Sequence, residues 1–171
     1  MHTLGGSPRR VASGDYMLPS PDGNSFIYTK PDDHQAIFRV GKSGLKEELV
    51  YRSHDLLFFP LLVFPGGNDL LAGAGRAHSP NIRFFRISLT SHEATDLGEM
   101  LGPDVTWAEP GNSILFSHEV DGLTNIWKYG LRDRSLTQIT FGTGVDYSPM
   151  PDPGKKGIYY VNGRVSSPIR R

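Results

Sequence analysis

Four aspartates recur at the head of comparable segments: Asp15-Tyr16, Asp55-Leu56, Asp104-Val105 and Asp146-Tyr147, spaced 40, 49 and 42 residues apart in a chain of 171. A carboxylate in such a place can accept backbone N–H bonds and close its own turn. Alternatively, it joins its counterparts in an acidic rim that draws a cation or a basic peptide. Direct coordination of one ion by all four is not expected, because packed sheets stand ~10 Å apart whereas Ca²⁺ ligands need ~2.3–2.6 Å. Arg52 and His54 share the loop of Asp55. Together with the four aspartates they are the candidate binding residues.

Other chemistry has little footing. There is no Cys, which excludes thiol nucleophiles, disulfides and Cys-ligated zinc. No Gly-x-Ser-x-Gly elbow occurs. His34, His54, His78, His92 and His118 fall in separate segments without His-x-x-x-His spacing, and His118-Glu119, at a strand end, is expected at the surface. The stretch from Ala36 to Ser43 ends like a phosphate loop, but it lacks the first Gly and lies in a strand-and-hairpin pattern. Gly73-Ala74-Gly75 and Gly142-Thr143-Gly144 lack the third Gly and the helix of a dinucleotide fingerprint. No catalytic residue, metal or cofactor is expected.

Charge narrows the partners. Lys+Arg and Asp+Glu are both 18, so the cation surplus that drives binding to nucleic acid is missing, as is a polybasic membrane surface. The longest apolar run, Leu56 to Phe64, is broken by Pro60 and is half the ~18 residues a bilayer span needs. The opening residues from Met1 to Pro8 lack the cationic and apolar regions of a signal peptide. Absence of Cys does not fix the compartment.

The elements that position the aspartates come from a repeat. Gly23, Gly67, Gly111 and Gly154 are spaced 44, 44 and 43 apart, and each follows a proline: Pro21, Pro65, Pro110 and Pro153. Apolar pairs recur downstream at Ile37-Phe38, Phe84-Phe85 and Ile126-Trp127, and segments end at Val11, Leu49, Leu97 and Ile139. The unit from Asp104 to Gly142 shows the content. A short first segment leads to a turn at Pro110-Gly111-Asn112, and a β-branched and aromatic strand runs from Asn112 to Val120. Asp121-Gly122 signals a tight hairpin. Alternating strands follow over Thr124–Leu131 and Leu136–Phe141, with no helical period.

Four antiparallel strands per 40–45 residues is the blade of a β-propeller. Such a sheet has two apolar faces and hides both only by stacking on copies of itself. The expected fold is therefore all-β, a partial propeller of three full blades plus parts of two. The expected limits are 1–12 (partial, an outer strand from Ser7 to Val11), 13–53, 54–102, 103–144 and 145–171 (partial). A four-bladed ring closed by pairing the two incomplete ends would still lack a strand. Trp107, Trp127 and the run Leu56–Phe59 are expected between blades; Arg9-Arg10 and Arg170-Arg171 are expected to be solvated. An open arc leaves apolar faces and a sheet edge uncovered, so the chain alone is expected to be marginally stable or to self-associate.

The segment Ser20-Pro21-Asp22-Gly23-Asn24-Ser25-Phe26-Ile27-Tyr28 resembles the Ser-Pro-Asp-Gly signature of TolB-like propeller repeats, the Pro-Asp relatives of WD repeats. Asp146-Tyr147-Ser148-Pro149 followed by Pro151 to Tyr160 is similar to it with one residue added, and Asn125-Ile126-Trp127 with Leu136-Thr137 matches its second half. Phe64-Pro65-Gly66-Gly67 lacks the Ser and Asp, so a different turn is expected there; the third unit has Ala108-Glu109-Pro110-Gly111. The resemblance covers nearly the whole chain. It implies a module that binds a protein or peptide, belonging to families that occur in bacterial envelope proteins, beside winged-helix regulators, and in prolyl-oligopeptidase-type peptidases. Members often lie outside the cytoplasm. The alternatives are the non-catalytic propeller of a hydrolase and a propeller enzyme acting on polysaccharide.

Overall fold

A computed structural model describes residues 9–79, 81–154 and 157–163. These residues form fourteen strands and no helix, so none long and apolar enough to cross a membrane. The first unit is a sheet of β1 (Asp15–Pro19), β2 (Ser25–Lys30), β3 (Asp33–Gly41) and β4 (Glu48–Arg52) in sequence order. The second repeats it with β5 (Leu57–Val63), β6 (Asp69–Gly75), β7 (Ile82–Ser88) and β8 (Ala94–Glu99). The third uses β9 (Thr106–Glu109), β10 (Ser113–Val120), β11 (Leu123–Gly130) and the three-residue β12 (Leu136–Gln138). A fourth unit is the hairpin of β13 (Val145–Pro151) and β14 (Ile158–Gly163), joined to the third by one parallel bridge between Thr124 and Val145. All pairing within units is antiparallel. The architecture is a partial β-propeller. The strand expected over Ser7–Val11 lies partly outside the described residues, and Arg9 to Val11 are not in a strand.

Alternation sends successive side chains to opposite faces, and both faces are apolar. Between the first and second units Ile27, Ile37 and Val50 pack with Phe58, Leu70, Ala72 and Ile87. Between the second and third, Leu71, Phe84 and Phe64 meet Ile114, Phe116 and Tyr129. Trp107 stands edge-on to Phe64, ring centres 5.1 Å apart, and Phe58 is fully buried. Each buried side chain of this size stabilises by about 1.5–3 kcal/mol, so the interfaces between units carry the stability.

The turns from first to second strand share one frame. Gly23 N–H bonds Ser20 O, and Ser20 N–H bonds Ser25 O. Gly67 N–H bonds Phe64 O and Phe64 N–H bonds Asp69 O in the same way. The second turn therefore does not differ, contrary to expectation: the frame needs glycine at positive φ (67° and 72°), not the Ser or Asp. The third turn differs instead. Ser113 faces Glu109 across a loop one residue shorter, with Gly111 at φ 81°. In the fourth, Asp152 N–H bonds Gly157 O, the spacing of Ser20 to Ser25.

Every first strand carries one extra residue against its second strand. Asp15 and Leu18 face Thr29 and Ile27; Pro60 and Leu62 face Ala72 and Leu71; Glu109 and Trp107 face Ser113 and Ile114; Tyr147 and Met150 face Val161 and Tyr159. These are β-bulges, which re-aim the side chains beside them.

Candidate functional site

The bulges decide where the recurrent aspartates point. Asp15 opens β1, while Asp55 and Asp104 stand two residues before β5 and β9. Asp146 lies inside β13, and Tyr147, not Asp146, takes the place of Asp15 relative to the bulge. A one-residue offset turns a side chain to the other face. Asp15, Asp55 and Asp104 are exposed, whereas Asp146 is 1% exposed.

Each carboxylate binds a side chain on the second strand or just beyond it. His34 Nε2–H donates to Asp15 Oδ2 at 3.1 Å, and Arg76 Nε–H to Asp55 Oδ2 at 3.1 Å. Ser117 Oγ–H donates to Asp104 at 3.4 Å, and Asn162 Nδ2–H to Asp146 Oδ1 at 2.5 Å. Among the described residues none of the four accepts a backbone N–H; Ser53 Oγ takes the backbone N–H groups of Asp55 and Leu56 instead. Asp15 and Asp55 thus tie the start of the first strand to the hairpin beyond the second, while Asp104 and Asp146 bond the second strand itself.

Arg52 forks onto both oxygens of Asp33, at 3.2 and 2.6 Å. The His54 carbonyl accepts Gln35 Nε2–H at 2.9 Å. Ion pairs this exposed contribute about 0–1 kcal/mol each. Among the described residues no three His, Asp or Glu side chains gather closely enough to hold a metal ion.

Several polar contacts carry no sequence signal. The outer strands bulge at Val50 and Leu97, and a bulge leaves its residue out of the ladder. The next unit takes up these carbonyls: His92 Nδ1–H donates to Val50 O, and Tyr129 Oη–H to Leu97 O at 2.9 Å. Arg134 adds a 3.4 Å bond to Asp96 O. His92 and Arg134 both have positive φ and bond N–H to the carbonyl four residues back, so one turn geometry serves both straps. His118, expected at the surface, is half-buried and donates Nδ1–H to Leu101 O at 2.7 Å. Tyr28 Oη–H donates to Glu47, with burial first and Glu47 second pushing its pKa up.

The unit junctions are not equally closed. An added Cβ at Gly67 would stand 3.8 Å from Pro21 Cδ, and one at Gly111 3.5 Å from Pro65 Cδ, so turn rests on turn at the first two junctions. At the third a cleft of about 550 Å³ opens, with Leu115, Ile139, Ile158, Pro110 and Pro151 on its walls. Lys128 and Glu109 pair at its rim at 2.5 Å.

The largest contrast is in the fourth unit. By the shared turn frame, Tyr159 takes the place of Ile27 and Leu71, and Tyr160 that of Tyr28 and Ala72. The four counterparts are at most 1% exposed, whereas Tyr159 is 61% and Tyr160 42% exposed. Met150 (60%), Tyr147 and Val161 extend the patch.

No family model matches the chain, and no curated protein matches it. Solved structures do. TolB from Acinetobacter baumannii superposes with a TM-score of 0.68 at 19% identity, over 88% of this chain and 38% of its own. The fold is that of a TolB-like β-propeller. An oligogalacturonate lyase in complex with manganese gives 0.68 at 19% identity, over 89% of this chain and 47% of its own. The acylaminoacyl peptidase of Pyrococcus horikoshii gives 0.54 at 14% identity, over 79% and 26%. This chain therefore spans less than half of each of these three. Names this different on one scaffold show that the fold carries no particular activity.

Proposed function

We propose that this TolB-like segment is a non-enzymatic binding module that engages a protein or peptide as part of a larger propeller assembly. The observation that carries the reading is the fourth unit: side chains whose counterparts are buried in the other units stand open there, rich in Tyr and Met, the residue types enriched where proteins meet. Apolar side chains left open in this way mark an interaction site. The rim loops bearing Asp15, Arg52, His54, Asp55 and Asp104 supply the polar part of the same role, and the buried Asp146 serves the fold.

The test is a hydrophobic dye combined with sedimentation. The chain is expected to bind the dye, or to self-associate as concentration rises, and a Met150→Ser, Tyr159→Ser double variant with unchanged circular dichroism is expected to do both less. A chain that stays monomeric at high concentration and binds dye no better than the variant would end this reading.

A further inference from the structure

In the three complete units, different pairs close the hairpin between the second and third strands. Lys30 faces Asp33 in the first, and Gly75 faces Ile82 in the second. In the third, Val120 faces Leu123 across Asp121-Gly122, and both are exposed. A third apolar side chain joins this end. Residues 141–144 are fastened to it on both sides: Thr140 N–H bonds Ile126 O, and Val145 bridges Thr124. Phe141, which opens that stretch, is 79% exposed. Charge sets the same end apart. In the first two units Asp15 pairs with His34, Asp33 with Arg52 and Asp55 with Arg76. In the third, Asp104, Glu119 and Asp121 have no basic side chain within ion-pair reach among the described residues. Ser117, which bonds Asp104 at 3.4 Å, lies on the face of β10 that carries Glu119, so these carboxylates gather at one end. Behind Leu123, on the same face of β11, Asn125 is 4% exposed and its Oδ1 has no hydrogen-bond partner. An N–H donor entering beside Leu123 would satisfy that acceptor.

We propose that this end of the third unit docks a basic, amphipathic segment of another polypeptide. Its apolar side chains rest on Val120, Leu123 and Phe141, and its Lys or Arg groups lie against Asp104, Glu119 and Asp121. The two kinds of contact divide the work. Opposite charges steer the encounter and turn away acidic partners, and water leaving the three apolar side chains holds the complex together. Every residue of this surface belongs to the complete third unit, to the connection that enters it or to the one that leaves it. The surface is separate from the open side chains of the fourth unit. The inference rests on the binding-module reading and adds the chemistry of a partner to it.

The experiment titrates the full 171-residue chain into the fluorescein-labelled peptide Lys-Leu-Lys-Phe-Lys-Leu-Lys at low salt and follows anisotropy. Peptides with Glu for every Lys, or with Ser for every Leu and Phe, are expected to bind at least tenfold more weakly. A Glu119→Gln, Asp121→Asn chain and a Leu123→Ser, Phe141→Ser chain, both with unchanged circular dichroism, are each expected to bind the first peptide at least tenfold more weakly. The loss in the charge variant is expected to shrink as salt rises. The Met150→Ser, Tyr159→Ser chain is expected to bind it as the parent chain does. Binding lost in that chain and kept in the other two would overturn the inference and make the fourth unit the site. Equal binding by all four chains would overturn it as adhesion without a site. Self-association abolished by the Glu119→Gln, Asp121→Asn change would overturn it too, with a second copy as the occupant. A parent chain that passes the dye test and binds no peptide would overturn the inference alone; one that fails both would overturn it together with the reading beneath it.

Discussion

The strap between the second and third units gives the sharpest quantitative expectation. Tyr129 Oη–H reaches Leu97 O at 2.9 Å, and Leu97 is the bulged residue of β8, so the ladder offers that carbonyl no alternative partner. Tyr129→Phe keeps the ring in the core with Phe84 and removes only the bond. A buried carbonyl left unpaired costs about 1–3 kcal/mol; a half-open one falls at the low end, about 1 kcal/mol. Next to it Gly98 has φ 117°, and a Cβ there would stand 2.8 Å from Tyr129 Oη, with the Tyr129 Cζ atom next at 4.0 Å. Gly98→Ala therefore has two costs: a backbone conformation unfavourable by about 1–3 kcal/mol, and a contact with the hydroxyl that overpacking places at about 1 kcal/mol.

Only the second cost depends on the hydroxyl, so a double-mutant cycle isolates it. Gly98→Ala is expected to cost about 1 kcal/mol less in the Tyr129→Phe background than in the parent. Urea denaturation of the four proteins at one protein concentration reads the difference as a shift in midpoint at constant m. Single-variant shifts in melting temperature are expected to run at about 2–4 °C per kcal/mol for a chain of this size. Additivity within about 0.3 kcal/mol would refute the strap, because it would mean that the hydroxyl is not where residue 98 must meet it.

Two further expectations follow from single sites. Burial raises the pKa values of Tyr28 and Tyr129 above the ordinary tyrosine range. Between about pH 10, where an unfolded tyrosine ionises, and the higher folded values, the native state holds more protons, so stability is complete below about pH 10 and falls as pH rises beyond it. Denaturant midpoints from pH 8 to 11 should show that decline, and the absorbance of ionising tyrosine should show two late-titrating residues; a flat profile would contradict their burial. Gly67→Ala, at φ 72°, is expected to cost about 1–2 kcal/mol, while Gly66→Ala, with only Asn68 Nδ2 within 4 Å of the new Cβ, is expected near zero. Equal costs would show that the second turn does not use the frame assigned to it.

The parts of the fold visible in the chain are those in which one residue answers a local demand. Asp121-Gly122 signals a two-residue hairpin because both positions need positive φ, and they have it, at 53° and 78°, with Val120 facing Leu123. The recurrent Pro-Gly corners are visible for the same reason. Register is not local. The extra residue in each first strand has no composition, since Tyr16-Met17, Leu61, Ala108 and Ser148-Pro149 share no type, and yet it sets which face each aspartate takes. Hence Asp15 and Asp146 look equivalent along the sequence and are not so in space. The acceptors of the straps, at Val50 and Leu97, are backbone carbonyls, which side-chain identity does not reveal.

The fourth unit joins these two kinds of information. Its sequence keeps the pattern of a strand buried on both faces, Ile158-Tyr159-Tyr160-Val161, while the structure leaves that pattern in the open. Full burial of each such side chain would stabilise by roughly 1.5–3 kcal/mol, so a few contacts there outweigh the exposed ion pairs of the rim, at about 0–1 kcal/mol each. Affinity for a partner should accordingly reside at the open apolar side chains of the fourth unit, and the charges of the loops bearing Asp15 and Asp104 should act on encounter rate and on salt dependence. Neutralising Asp15 and Asp104 together should then slow association at low salt and leave dissociation unchanged, whereas Tyr160→Glu should speed dissociation. A rim variant that changed only the dissociation rate would reverse that division and move the binding site to the loops.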